Sequence, residues 1–145
     1  MRAFLSNQRP RSVNAKGTSN FQERIRHSYQ AYYPDQELMD GVLYGIVYYF
    51  HKRNNQLDAD NLSKPVWDAL EGVAFNDDRS IQLRHAGVVD LRSTDMTAFD
   101  LSRMPDMVAD SFIEMIGTED HVLYVEFGGL HQRMFRFGQA IPEDL

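Results

Sequence analysis

The run Gly41 to Phe50, G-V-L-Y-G-I-V-Y-Y-F, decides how the rest of the chain is read. It is almost continuously apolar and rich in β-branched and aromatic residues, which predicts a central strand buried on both faces. Its tyrosines Tyr44, Tyr48 and Tyr49 belong on that reading to the core rather than to a base-stacking surface. Shorter strand patterns lie on either side, at Met1 to Ser6, Ile81 to Leu91 and Val122 to Phe127. Helical spacing is expected from Ser19 or Asn20 to Tyr33, with Phe21, Ile25, Tyr29 and Tyr32 inward and Arg24 and Arg26 outward, and again from Ser102 to Ile116. Four strands and interspersed helices in 145 residues predict an α+β fold, a single compact domain whose small mixed sheet carries helices packed on it.

The basic turn His51, Lys52, Arg53 leads from the central strand into Leu57 to Ile81, L-D-A-D-N-L-S-K-P-V-W-D-A-L-E-G-V-A-F-N-D-D-R-S-I. Leu62, Val66, Ala69 and Leu70 fall at i, i+4, i+7 and i+8, the apolar face of a short helix that Gly72 should end. Acids flank it: Asp58 and Asp60 before, Asp68 within, Asp77 and Asp78 after, with Lys64 near the start. If the chain is extended before Asn61, residues two apart share a side and Asp58 and Asp60 face one hard cation. Asn61 or Ser63 then caps the helix and Pro65 sits in its first turn. Two adjacent carboxylates repel, and a bound Mg²⁺ reverses that cost. Read singly, D-x-D and N-D-D are also ordinary turn letters, and Lys64 with Asp68 at i, i+4 is also an ordinary surface ion pair.

The combination D-x-D-N-L-x-K-x-x-x-D-A-L, followed about seven residues later by D-D, resembles the signature of the RusA-type Holliday junction resolvases, crossover junction endodeoxyribonucleases found largely in phages and prophages. A second, weaker similarity is P-R-S-V-N at Pro10, Ser12 and Asn14, which looks like the turn after that family's first strand. The resemblance implies a single RusA-like endonuclease domain over residues 1–145. It places metal-binding catalytic acids at Asp58, Asp60 and Asp78, a further metal-site acid at Asp77, and the essential lysine at Lys64. It further implies Mg²⁺ as cofactor, with Mn²⁺ as substitute, branched DNA as substrate, and a homodimer that presents two sites for two symmetric nicks. The alternative is a catalytically silent RusA-like accessory or protein-interaction domain; against it stand the intact acids and lysine.

Charge bears on that expectation. The formal net charge is −6, unfavourable for a simple nucleic-acid binder. Residues 1–64, however, hold nine basic against six acidic residues, and residues 65–145 hold six against fifteen. The DNA face is therefore expected in the first half, on Arg9, Arg11 and Lys16 of the loop Asn7 to Ser19 and on Lys52 and Arg53. The tail from Gly128, where Phe135 and Phe137 alternate around Arg136, is expected as a partial strand or an arm.

The remaining composition mostly excludes. No cysteine is present, so disulfide, thiol and cysteine-zinc chemistry are absent, and a cytoplasmic bacterial or phage protein is expected. There is no apolar signal segment and no run near the ~20 residues of a membrane span, so no membrane partner is expected. No phosphate-binding glycine motif occurs, hence no nucleotide cofactor. His27, His51, His85, His121 and His131 lack metal-ligand spacing and read as structural or surface residues.

Overall fold

A computed structural model of the chain describes residues 1–11, 16–53 and 57–139. In chain order the elements are β1 (Arg2–Ser6), α1 (Thr18–Tyr32), β2 (Leu43–His51), α2 (Ala59–Leu70), β3 (Ile81–Asp90), α3 (Asp106–Thr118) and β4 (His121–Gly129). The strands form one sheet in the order β1-β4-β2-β3. β4 runs antiparallel to both β1 and β2, and β3 runs parallel to β2, so the sheet is mixed and the fold is α+β as expected. The run from Gly41 is indeed central: β2 is hydrogen-bonded on both sides.

Alternation along β2 divides the core. Leu43, Val47 and Tyr49 pack with Phe4, Leu123, Val125 and Phe127 beneath α1 and α2. On the other face Phe50 packs with Leu5, Val122 and Tyr124 beneath Val108, Phe112 and Ile116 of α3. Gly45 brings α2 close, since a Cβ there would lie 2.5 Å from Cζ2 of the buried Trp67. In α1, Phe21, Ile25 and Tyr29 are buried at i, i+4 and i+8. Arg26 is not outside: its Nε donates to the Ala69 carbonyl at 3.1 Å, satisfying an acceptor near the α2 C-terminus.

Other expectations need correction. α2 starts at Ala59, before Asn61, and its cap is Asp58, whose Oδ1 accepts the Asn61 N–H at 3.1 Å. Asp60 is thus helical while Asp58 keeps an extended backbone, so the two are not alternate members of one strand. Pro65 lies in the helix interior rather than the first turn; its ring leaves the Asn61 carbonyl without the usual i+4 donor. α3 starts at Asp106 and not at Ser102, because Pro105 disfavours helical backbone at Met104. It runs to Thr118, two residues beyond Ile116, and Met107 in its first turn is 75% exposed. β3 runs unbroken through Gly87.

One irregularity matters for the site. Ile81 and Leu83 pair with the consecutive residues Leu43 and Tyr44, so β3 carries one extra residue at its start. Beyond it, Arg84 faces the α2 side, while Leu83 and His85 face the opposite side. The Ser12 and Asn14 positions of the upstream turn, and the chain beyond residue 139, lie outside the described residues.

Candidate active site

Topology puts the two halves of the acidic motif at opposite ends of α2. The helix leaves the C-terminal end of β2 and returns along the sheet to the start of β3, as the connection between parallel neighbours requires. Asp58 and Asp60 stand at its N-terminal end, where the positive end of the helix dipole favours them. Glu71 follows Asp60 by eleven positions, about 16 Å of axial rise.

At the far end the chain turns back through Gly72, whose φ of 83° suits a residue without Cβ. The Gly72 N–H donates to the Phe75 carbonyl at 2.7 Å, and the chain then reaches the acid pair. Asp77 caps a short 3-10 turn, Asp78–Ser80, that enters β3 directly, so the acid pair sits at a strand entrance as expected. The Asp78 N–H donates to Glu71 Oε1 at 3.0 Å, joining the helix end to the turn. Glu71, Asp77 and Asp78 each present a carboxylate oxygen, all within 4.8 Å of one another. Three hard oxygen donors at this spacing fit a divalent ion such as Mg²⁺.

Cations hold this group together. Lys64 Nζ lies 2.7 Å from Asp68 Oδ1 and 3.1 Å from Asp78 Oδ2, so the intrahelical pair exists and is extended to the acid pair. Hydrogen bonds to Asp68 first, and to Asp78 second, raise the Lys64 ammonium above its ordinary range. Arg84 Nη2 donates to the Asp78 carbonyl at 2.6 Å and approaches its carboxylate at 3.4 Å. Asp78 is the least exposed of the ion-paired acids, its side chain 14% accessible. Asp77 is gripped by Arg79, at 2.9 Å from Nε and 2.6 Å from Nη2. Those bonds lower the Asp77 carboxyl to about 2.

Of the residues singled out from sequence, Asp77, Asp78, Lys64 and Asp68 come together, and Asp60 lies one helical turn before Lys64 with Asp58 capping the same helix. Glu71 and Arg84 are additions. Glu71 had a signal, falling one turn beyond Asp68 on the helix; Arg84 had none, because its direction depends on the extra residue at the start of β3.

The basic residues gather elsewhere. Arg9 and Arg11 line a cleft with Arg24 of α1, where Arg24 Nη1 donates to Gln8 Oε1 at 2.9 Å. Lys16 is exposed at the approach to α1. Lys52 and Arg53 follow β2 directly, Arg53 pairing with Asp120 at 2.8 Å and Lys52 donating its N–H to the Asp120 carbonyl at 3.0 Å. The end of β1 and the end of β2 lie at the same end of the sheet, the end from which α2 departs, so Asp58 and Asp60 share it with these cations. There the charge of Arg9 and Arg53 adds to desolvation in pushing the His121 imidazole below its ordinary value.

The family model described as Endodeoxyribonuclease RusA matches residues 2–92. No curated protein matches the chain. The matched span runs from β1 through β3 and contains the basic loop, Lys64 and every acid of the motif, while α3, β4 and the tail follow it. With well over half the chain inside that match, the protein belongs to the RusA endodeoxyribonuclease family.

Proposed function

We propose that this chain hydrolyses phosphodiester bonds of branched DNA, four-way junctions above all, with Mg²⁺, or Mn²⁺ in its place, held by the motif carboxylates. The observation carrying this reading is the group Glu71, Asp77 and Asp78 beside Lys64, inside the span that matches an endodeoxyribonuclease family. Asp78, with Asp77 and Glu71, is assigned to metal binding. Asp58 and Asp60, at the start of α2, are assigned with them to metal binding and catalysis. A divalent ion in such a site supplies water activation and neutralises charge on the departing oxygen.

The chain's own groups do the rest. Lys64 is anchored at the helix yet half-exposed, so its ammonium can exchange Asp68 for a non-bridging phosphate oxygen as charge grows there. Arg84 holds Asp78 by both backbone and carboxylate, fixing the direction of that ligand. Two symmetric nicks call for a homodimer with one site per protomer. The test is cleavage of a synthetic four-way junction beside a linear duplex of the same sequence, with Mg²⁺ and with chelator. Metal-dependent cleavage selective for the junction supports the reading; no cleavage, or equal cutting of the duplex, contradicts it.

A further inference from the structure

On the sheet face opposite α2 lies a cavity of about 1130 Å³. Its floor is the part of β2, β3 and β4 that α3 leaves open, and its far wall is the tail after β4. We propose that this cavity binds an unpaired DNA strand, by stacking on its aromatic residues and by phosphate contacts to its arginines. The proposal rests on the endonuclease reading only for its biological purpose; the binding itself is a separate property.

Three features favour a nucleotide strand. Tyr44 and Tyr48, expected in the core, are only partly buried and line the floor, and Phe137 on the tail is 93% exposed, far more than folding alone would leave a phenylalanine. Every base has a π-face, so such a set of rings is sequence-tolerant. Arg103, Arg133 and Arg136 also line the cavity, and among the described residues the guanidinium groups of Arg133 and Arg136 make no hydrogen bond or ion pair. Arg133 and Arg136 beside Phe137 on one wall put cations next to an aromatic ring, as single-strand grooves do.

The floor adds a polar anchor. Glu126 lines it and accepts hydrogen bonds from the hydroxyls of Tyr44, at 2.6 Å, and Tyr124. Held by two hydroxyls, this carboxylate retains lone pairs for an exocyclic amine of a base. The volume exceeds that of ordinary small-molecule sites, which fits several consecutive nucleotides better than one. Position also favours a strand. Leu83 and His85 line the cavity while Arg84 between them bonds Asp78 on the other face, so the cavity and the carboxylate group meet across one exposed edge strand.

The experiment measures binding of a fluorescent single-stranded 12-mer to the full chain in chelator, so that metal and cleavage play no part. Competitors are the matching duplex, a single mononucleotide, and an acidic peptide of equal charge. The single strand should bind best. Arg133→Glu with Arg136→Glu should weaken it at least tenfold, and Phe137→Ala at least about fivefold. These residues are exposed, and unchanged melting temperatures will show that the variants fold. Asp78→Asn should bind the strand like the parent, which keeps a failure at this cavity distinct from a failure at the carboxylate group. Equal binding of the mononucleotide or peptide would overturn the proposal, as would variants that bind the strand unchanged or that lose the duplex as much as the strand.

Discussion

Lys64 is drawn in two directions, and its two partners make different predictions. As a partner of Asp68 alone it is an exposed i, i+4 pair contributing about 0.3 to 0.5 kcal/mol. Its second interaction, with Asp78, ties it to the carboxylate group proposed to hold the metal. Lys64→Ala should therefore lower the single-turnover cleavage rate by about two orders of magnitude or more while moving the melting temperature little. Lys64→Arg should recover only part of the rate, because a planar guanidinium places its donors differently. A rate within a few fold of wild type for the alanine variant would leave only the surface pair. Asp77 allows a check on the electrostatics at the same scale. Its folded carboxyl titrates at about 2, below the ordinary value near 3.8. The contribution of its pairing to stability is thus fully present above about pH 4 and is lost as pH falls through 2. In carboxyl-resolved NMR titration, Arg79→Ala should move the Asp77 midpoint upward towards the ordinary value; an unmoved midpoint would mean that the pairing seen here is not kept in solution.

Among the elements, α2 shows what can be read in advance and what cannot. Its apolar face is legible because Leu62, Val66, Ala69 and Leu70 can only be buried together at helical spacing, and all four are. Its beginning is not. Asp at a helix N-cap and Asp as a metal ligand look alike in sequence, and Asp58, extended itself, caps through Oδ1 while its second carboxylate oxygen is left for other work. The two roles separate by substitution. Asp58→Asn keeps the cap but removes the charge, whereas Asp58→Ala removes both and should cost about 0.5 to 2 kcal/mol of stability. Unfolding in denaturant should find the asparagine variant near wild type and the alanine variant less stable. If cleavage falls equally in both, Asp58 acts through its charge; if alanine leaves stability unchanged, the cap is not a stabilising feature. The start of α3 escapes a periodicity argument for a simpler reason, the steric effect of Pro105 on Met104, which hydrophobic spacing does not register.

At the scale of the whole molecule the negative net charge hides a segregated surface. Arg9, Arg11 and Arg24 meet in one cleft, and Lys52 and Arg53 lie at the same end of the sheet. Sequence order points to the basic half but not to Arg24, which reaches the cleft only because α1 folds back beside the loop. Replacing Arg9, Arg11, Lys16, Lys52 and Arg53 by alanine should weaken binding to all junction sequences alike and flatten the salt dependence by about one unit of slope for every phosphate that the protein no longer neutralises. An unchanged salt slope would place the DNA surface elsewhere. Beneath these surfaces the account rests on one claim, that the carboxylates at the entrance of β3 support metal-dependent cutting of branched DNA. The most direct measurement is single-turnover cleavage of a four-way junction at saturating Mg²⁺ by Asp78→Asn beside wild type, with junction binding measured on both. The variant should bind at least as well, having lost a negative charge, and should not cut; cleavage near the wild-type rate would contradict a metal-binding role for Asp78.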